Sequence, residues 1–251
     1  MRLKFSKSLE FFFKKNFFPQ SYLVKKRLER SIKKKDENEI ELIKKFIDYN
    51  TDSIDVGVYR GVYSYEMAKY SKTVHSFEPN PVIFKDLEKN IKKIIKNIQI
   101  YNLALSEENK EIELKIPIRD KKASKDNYEE YYQLGKATIH KKNILDEYES
   151  FKIKSIKLDD IKFQNRISFI KIDVEGHEEN VIAGSLNTIN KFKPTLLIEI
   201  EEKYTQKNVS ESINYINSLG YNSFVYKKSE LINTDEIDDL NKFNNFIFKY
   251  K

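Results

Sequence analysis

The spacing of the hydrophobic residues changes near position 53, from a helical period to an alternation of short apolar runs and amphipathic segments. Upstream, the pattern predicts a helix before Pro19, a second from Ser21 to about Lys35, and a third over 37–49. Downstream, strands are predicted over 53–57, 73–78, 98–103, 111–116, 152–158, 167–174, 194–200, 221–226 and 245–250. Helices are predicted over 62–70, 81–96, 178–192 and 209–219. This alternation predicts an α/β fold whose sheet carries helices on both faces.

Length and patterning divide the chain into two parts. Its 251 residues, 39% of them hydrophobic, suffice for one domain with an appendage. We place a basic, aromatic helical extension over 1–50 and the domain over 51–251. Within the domain, residues 118–152 are polar and lack a strong period, so they are predicted to form an insertion. The tyrosines of this insertion fit a solvated loop and a surface that stacks on a sugar equally well.

Composition excludes several classes of site. The chain has no cysteine, which rules out disulfides, thiolate zinc ligands and a thiol nucleophile. No apolar run approaches the roughly 18 residues that a membrane-spanning helix needs. The first residues lack the apolar core and small-residue cleavage site of a secretory signal. The sequence therefore predicts a soluble, cytoplasmic protein.

The positive charge is confined to the start of the chain. The formal net charge is +7, but residues 1–35 contain twelve basic and two acidic residues, whereas residues 36–251 contain 34 basic and 37 acidic ones. Only six of the basic residues are arginine, the side chain that base edges and phosphates favour, so no nucleic-acid partner is expected. The phenylalanines at 5, 11, 12, 13, 17 and 18 accompany the +10 charge. Two interpretations remain open: residues 1–35 contact an anionic membrane at its inner face, or they pack on the domain or on a homodimer partner.

A glycine turn follows the first predicted strand, in the sequence Asp55-Val56-Gly57-Val58-Tyr59-Arg60-Gly61. Glycine lets the backbone turn sharply and approach a ligand closely. The spacing differs from the G-x-G-x-x-G of dinucleotide sites, and a carboxylate precedes the first glycine. It suits a ligand with a cationic end and no phosphate, such as S-adenosylmethionine, although an ordinary strand–helix turn also accounts for it.

Glu78 lies 21 residues after Gly57, at the end of the second predicted strand. An acidic residue at that place accepts hydrogen bonds from the ribose hydroxyls of an adenosine. The alternative is an acid that stabilises the N-terminus of the next helix. Because the glycine turn lies at the matching distance, we favour ribose binding.

The end of the apolar run over 167–174 is rich in titratable groups. Asp173, Glu175 and His177 lie within five residues there, at a strand end that is expected to line the ligand crevice. They are candidates for a general base or a metal cluster. Glu199 ends the next buried strand and is expected to face the same crevice.

These motifs, taken in order, resemble those of the FkbM-type family of S-adenosylmethionine-dependent methyltransferases. The matching segments lie within about residues 50–203 and read Asp55-Val56-Gly57, Ser76-Phe77-Glu78-Pro79-Asn80-Pro81, Asn102-Leu103-Ala104-Leu105-Ser106, Leu158-Asp159-Asp160, Phe169 to Glu178 and Lys193 to Ile200. The resemblance implies a Rossmann-like sheet, mostly parallel with an antiparallel last strand, and S-adenosylmethionine as the cofactor. It also implies O-methylation, often of a sugar in a surface glycan or natural product.

The resemblance further implies roles for single residues. Asp55, Gly57 and Gly61 match the cofactor loop, Glu78 the ribose acid, Asn102 and Ala104 the stretch beside the adenine, and Asp173 the acid beside the methionine part and the acceptor. The chain has Val58-Tyr59 where the family usually has Ala-Asn, so the contacts of Tyr59 with the cofactor are expected to depart from the family's pattern.

We expect Asp173 or His177 to take the hydroxyl proton and Glu175 to orient the acceptor. His177 has the intrinsic pKa better suited to a base near neutral pH, and Asp173 has the better motif position. A divalent metal held by Asp173 and Glu199 is an alternative, although substrate hydrogen bonding is the commoner role of such a pair, so no metal is assigned. Two further classes stay open: a binding protein whose altered loop excludes the cofactor, and a methyltransferase that acts on a nitrogen or a carboxylate.

Overall fold

The computed structural model describes residues 18–34, 38–125, 127–139, 147–205 and 207–251. The helix predicted before Pro19 lies almost entirely outside these ranges, as does His140, for which no role is predicted. The described strands are β1 (Asp52–Val56), β2 (Val74–Phe77), β3 (Ile98–Tyr101), β4 (Ala104–Leu105), β5 (Lys110–Pro117), β6 (Tyr148–Ile156), β7 (Ile167–Ile172), β8 (Thr195–Glu199), β9 (Tyr221–Lys227), β10 (Glu230–Asn233) and β11 (Asn245–Tyr250).

The described helices follow the predicted order. They are α1 (Gln20–Lys34), α2 (Ile43–Phe46), α3 (Val62–Met67), α4 (Pro81–Asp86), α5 (Lys92–Ile94), α6 (Tyr128–Tyr131), α7 (Glu178–Ala183), α8 (Leu186–Phe192), α9 (Glu202–Thr205) and α10 (Val209–Ser218). Short 3₁₀ helices span Asn38–Leu42, Leu134–Lys136, Leu158–Asp160, Thr234–Glu236 and Leu240–Lys242. None of the helices in the described ranges combines the length and the apolar character needed to cross a membrane.

Among the described residues, eight strands form the central sheet in the order β10-β9-β11-β8-β7-β1-β2-β3. The five strands from β8 to β3 are parallel to one another. Strand β11 runs antiparallel to both of its neighbours, β8 and β9. The predicted fold class, a mostly parallel sheet with an antiparallel last strand, is confirmed.

Apolar side chains bury the sheet on both faces. Successive residues of a strand point to opposite faces, and in β7 Phe169 joins a core that contains Leu28 and Met67, whereas Ile170 joins a separate core with Val181. Helices α1 and α3 therefore cover one face, and α7 and α10 cover the other. The continuous apolar runs of β7 and β8 follow from this double coverage.

Two of the predicted helices are interrupted. The helix predicted over 178–192 is divided into α7 and α8 near Gly184, whose backbone lies so close to Ser106 that an added Cβ would stand 1.9 Å from the Ser106 carbonyl oxygen. The helix predicted over 81–96 contains one π-helical turn, Leu87–Ile91, between α4 and α5. Close backbone packing, which the local sequence does not report, accounts for the first interruption.

The strands that follow β3 in the chain form a second sheet, in the order β4-β6-β5. Strand β6 pairs antiparallel with β5 and parallel with β4. The strand predicted over 152–158 thus begins earlier, at Tyr148, inside the predicted insertion. Pairing with β5, rather than any local period, extends this strand.

Two tyrosines of the insertion form part of a core. Tyr131 and Tyr132 are buried, and both hydroxyls donate to the Glu149 carboxylate, at 3.1 and 2.6 Å. Neither interpretation made from the sequence, solvated loop or sugar platform, holds for these two side chains. Tyr148, in contrast, is exposed.

Candidate active site

A cleft opens where the parallel strands end, beside the insertion. It encloses about 810 Å³, including space open to solvent. The carboxyl edge of an open α/β sheet is the expected place for a ligand. Among the residues that line the cleft are Val56, Gly57, Phe77, Glu78, Asp173 and Glu199 from the strand ends and Leu134, Gly135, Ala137 and Ile139 from the insertion.

Gly57 makes the closest contact between the strand ends. Its φ is +83°, and a Cβ added there would lie 1.8 Å from the carbonyl oxygen of Asp173. Hydrogen bonds from Gly57 N to Phe77 O and from Asp173 N to Val56 O, each 3.0 Å, hold the neighbouring chains together. Only glycine therefore permits this turn.

Glu78 presents a buried carboxylate to the cleft. Its Oε2 accepts from the backbone N–H of Tyr59 at 2.9 Å, and its Oε1 accepts from that of Asn80 at 2.9 Å. Burial outweighs these hydrogen bonds and raises the pKa of Glu78 to about 7. The carboxylate oxygens keep further lone pairs, so Glu78 has the position and the acceptor capacity predicted for a ribose-binding acid.

Tyr59 joins the glycine turn to the insertion. Its backbone adopts a left-handed conformation, with φ +49°. A Cβ added at Gly135 would lie 3.3 Å from the Tyr59 ring, so the ring packs directly on the Gly135 backbone. Both residues line the cleft. The Val58-Tyr59 departure from the family's usual sequence thus coincides with a contact to the insertion.

Other residues predicted to bind the cofactor support the cleft from behind. Asp55 is buried and accepts from Ser64 Oγ at 2.5 Å, and burial raises its pKa to about 6. Gly61, with φ +76°, begins α3. Asn102 donates to the carbonyl oxygens of Glu78 and Pro79, at 2.9 and 3.1 Å. Of the predicted pair Asn102 and Ala104, only Ala104 is among the residues that line the cleft.

A lysine and two carboxyl groups meet at the polar end of the cleft. Lys171 is fully buried, and its Nζ lies 3.7 Å from Asp173 Oδ2 and 3.3 Å from Asn245 Oδ1. Burial and the hydrogen bond with Asp173 hold the pKa of Glu199 well above its usual range. Glu199 is therefore protonated at neutral pH and donates to the Asp173 carboxylate.

Glu175 and His177 lie beside this pair and are held by other partners. Burial and the nearby Asp173 charge raise the pKa of Glu175 to about 7, and Glu175 shares a hydrogen bond with the Tyr204 hydroxyl. His177 Nε2 lies 2.9 Å from Ser106 Oγ. The structure thus brings together all three predicted catalytic residues, Asp173, Glu175 and His177, along one edge of the cleft.

Sequence reasoning missed Lys171 and the wall formed by residues 134–139. The signal for Lys171 was present, since a lysine inside an apolar strand must be paired when it is buried. The insertion residues carry no such signal, because only the tertiary fold places them over the cleft. Thr138 Oγ1 donates to the Glu175 carbonyl oxygen at 3.1 Å and ties this wall to the site.

Asp173 and Glu199 also formed the alternative metal site. In the part of the chain that the structure describes, no group of three or more His, Asp or Glu side chains is arranged to hold a metal ion. The hydrogen bond between Asp173 and Glu199 instead joins a carboxylate to a protonated acid. A metal site formed by these two carboxyl groups stays a prediction.

Glu178 should make the protein less stable as the pH rises. Its Oε1 accepts from Gly176 N at 3.0 Å, and burial raises its pKa to about 7. Between the pKa of an unfolded Glu, about 4.3, and about 7, the folded chain keeps a proton that the unfolded chain releases, so stability falls with increasing pH. Glu178→Gln keeps the acceptor oxygen and cannot ionise. Denaturant titrations should show this variant about 2–3 kcal/mol more stable than the parent near pH 8, with the difference shrinking towards pH 5. Parallel pH curves for the two proteins would contradict the assignment.

Comparisons with known proteins identify the family of the chain. The family model of the methyltransferase FkbM domain matches residues 55–223. A solved methyltransferase FkbM from Methylobacillus flagellatus is 15% identical with a TM-score of 0.52, covering 81% of this chain and 44% of that one. A putative methyltransferase from Streptococcus mutans, solved with S-adenosylhomocysteine, is 11% identical with a TM-score of 0.45, covering 85% of this chain and 95% of that one. A Thermotoga maritima S-adenosylmethionine-dependent O-methyltransferase is 14% identical with a TM-score of 0.44, covering 86% of this chain and 65% of that one.

The likeness to the M. flagellatus structure shows the fold alone, because the identity is 15%. The chain spans less than half the length of the M. flagellatus protein. No curated protein matches the sequence. The family assignment therefore depends on the match over residues 55–223.

Proposed function

The chain belongs to the methyltransferase FkbM family, and we propose that it methylates a sugar hydroxyl in a surface glycan or natural product, with S-adenosylmethionine as the methyl donor. The contact between Gly57 and Asp173 carries the proposal. It holds the backbone of Asp173, whose carboxylate hydrogen-bonds Glu199, against the turn that the family uses for its cofactor. A proton acceptor beside the methyl donor is what the methylation of a hydroxyl requires.

The residues of the cleft fit this cofactor. Glu78 offers a carboxylate for the ribose hydroxyls, and Phe77, Leu103 and Leu105 provide apolar surface for the adenine. The Gly57 turn leaves the strand ends free of a side chain where the cofactor approaches. When bound, S-adenosylmethionine supplies a methyl group that is already activated as a sulfonium.

The residues of this chain must then position an acceptor hydroxyl and take its proton. Alignment in a water-poor site contributes several kcal/mol, and a positioned base typically adds ~10²–10⁴-fold. Asp173 accepts the proton in one version of the mechanism. Protonated Glu199 then hydrogen-bonds the Asp173 carboxylate, and buried Lys171 offsets its negative charge. In the other version His177 accepts the proton, and Ser106 orients its ring. Glu175 hydrogen-bonds the acceptor in both.

The charge of the site favours a hydroxyl over a carboxylate acceptor. Asp173, Glu175 and Glu199 concentrate acidic groups at one end of the cleft. Sugar hydroxyls donate hydrogen bonds to such oxygens, whereas a substrate carboxylate has no hydrogen to donate and would meet the charge of Asp173, which Lys171 offsets in part, and that of Glu175 where it is ionised. A cationic amine would also be attracted, so an amine is the second candidate acceptor.

Methyl-labelled S-adenosylmethionine tests the proposal directly. The full chain is incubated with separate panels of nucleotide sugars, glycolipids, amines and carboxylic acids, and the products are analysed by mass spectrometry. We expect label on a sugar oxygen. Label confined to amines or carboxylates would contradict the hydroxyl acceptor. An absence of S-adenosylmethionine binding in calorimetry would instead support the non-catalytic binding protein.

Cofactor affinity should depend on pH through Glu78. Only the ionised carboxylate can accept hydrogens from both ribose hydroxyls, and its pKa lies at about 7 in the folded chain. The dissociation constant for S-adenosylmethionine should therefore fall about tenfold between pH 6 and pH 8, as the ionised fraction rises about tenfold. Glu78→Gln should bind more weakly and lose this dependence, as calorimetry at both pH values will show. Equal pH dependence in parent and variant would exclude Glu78 as the ribose acid.

A further inference from the structure

The outward face of α1 is strongly basic. Val24 and Leu28 are buried against the domain, so the opposite side of the helix faces solvent. Glu29 is the single acid of this helix, and it pairs with Lys26 at 2.9 Å. The exposed cations, which we call the basic face, are Lys25, Lys26, Arg30, Lys33 and Lys34.

Two exposed aromatic side chains lie at the N-terminal end of the basic face. Phe18 is 47% exposed and Tyr22 is 43% exposed, and their rings stack with centroids 5.2 Å apart. Lys26 Nζ lies 5.8 Å from the Tyr22 ring. The sequence before Phe18 adds five basic residues, one acidic residue and five phenylalanines. Aromatic side chains next to lysines are typical of segments that lie in the membrane interface.

The neighbouring helix extends the positive surface. Helix α1 packs beside the π-helical turn Leu87–Ile91 and α5. Four lysines of this segment are exposed: Lys85 in α4, Lys89 in the π-helical turn, and Lys92 and Lys93 in α5. A positive excess therefore spans adjacent elements, in which Glu88 pairs with Lys92 at 3.0 Å, while residues 36–251 as a whole carry a small excess of acidic residues.

We propose that the basic face of α1 binds the surface of an anionic membrane, with Phe18 and Tyr22 entering the headgroup region. Lysines near an anionic bilayer each strengthen binding roughly fivefold, and aromatic rings anchor the segment at the interface. Four of the five cations are lysine, which suits a diffuse lipid charge better than the bidentate recognition of phosphates in nucleic acid.

This orientation would bring the cleft towards the lipid. Arg27 Nη1 lies 3.4 Å from Glu129 Oε1 in the insertion, and Arg60 Nη2, next to the glycine turn, lies 3.9 Å from the same oxygen. Helix α1 is thus connected to the insertion and, through Glu129, to the glycine turn. If the proposed function holds, on which this step alone rests, the acceptor is a glycan held at the membrane.

Flotation of the full chain with vesicles tests the proposal without reference to activity. Vesicles of phosphatidylcholine alone are compared with vesicles that also contain phosphatidylglycerol. We expect flotation only with the anionic vesicles, and weaker binding at high salt. Lys25→Gln, Arg30→Gln and Lys33→Gln combined should lower the partition coefficient about 100-fold, because three charges near the surface are removed. Phe18→Ser with Tyr22→Ser should weaken binding even though the charge is unchanged.

A matched control separates the basic face from net charge. Lys154→Gln, Lys228→Gln and Lys249→Gln remove the same charge from exposed positions outside α1 and should leave flotation unchanged. Equal losses of vesicle binding in the two triple variants would overturn the proposal. Failure of the parent chain to float with the anionic vesicles would also overturn it. Single-stranded RNA binding that depends on the basic face, without vesicle binding, would assign the surface to nucleic acid instead. Calorimetry with S-adenosylmethionine should give the parent affinity in both triple variants, so failure here is distinct from failure of the methyltransferase proposal.

Discussion

Asp173→Asn is expected to lower the rate of methyl transfer by about 10²–10⁴-fold while the affinity for S-adenosylmethionine changes little. The amide keeps the size of the side chain and an oxygen that accepts from protonated Glu199, but it cannot take a proton. The loss should therefore appear in kcat at saturating cofactor. Turnover is measured with the acceptor identified by methyl labelling, and cofactor affinity by calorimetry.

Comparison with His177→Gln decides which residue is the base. If His177 takes the proton, its replacement will cause the larger loss, and Asp173→Asn will be close to the parent because an amide oxygen still hydrogen-bonds a hydroxyl. Asp239→Asn serves as the control, because Asp239 is an exposed carboxylate paired with Lys242. This variant should keep the parent activity whichever residue is the base. Parent rates in both Asp173→Asn and His177→Gln would show that neither residue is the base.

Seven of the eight strands in the described central sheet could be predicted because each carries its own signal, whereas β10, which lies in the polar stretch after β9, was not predicted. Strands β7 and β8 are apolar on both faces, so their sequences show that they are buried centrally. Short elements whose partners lie far away in the chain carried less signal. Strand β6 begins at Tyr148 because β5 pairs with it, and the helix over 178–192 is interrupted where Gly184 meets Ser106. Both features arise from tertiary contact, which a local period cannot report.

The chemistry of the site was easier to predict than its arrangement. Strand-end position and residue type were enough to select Glu78, Asp173 and His177, and all three line the cleft. Asp55 satisfies the same criteria, but its side chain is buried beneath the cleft, where it accepts a hydrogen bond from Ser64. Its side chain lies one residue before the strand end, and residues that alternate along a strand face opposite sides. Glu199 was also expected to face the crevice of Asp173, but the position of the Lys171 ammonium, 3.7 Å from Asp173 Oδ2, became apparent only from the fold.

Gly57→Ala is expected to abolish measurable binding of S-adenosylmethionine and to lower the thermal midpoint. The new Cβ would lie 1.8 Å from the Asp173 carbonyl oxygen and 2.9 Å from its carbonyl carbon, so the backbone of one strand end must move. The positive φ of +83° adds about 1–2 kcal/mol of strain for a residue with a side chain. Because Asp173 and the Gly57 turn move together, both the cofactor contacts and the position of the proposed base are lost.

Gly61→Ala provides the matched control for this substitution. Gly61 has a similar φ of +76°, but the nearest atoms to a Cβ there are side-chain atoms of Ile91, at 3.4 Å, and of Leu87, at 3.6 Å, which is ordinary contact. This variant should therefore show the strain without the collision: a small decrease in the thermal midpoint and nearly unchanged cofactor binding. Calorimetry and thermal denaturation of both variants separate the two effects. Equal behaviour of the two alanine variants would mean that backbone strain, and not the approach of Gly57 to Asp173, makes glycine necessary at the turn.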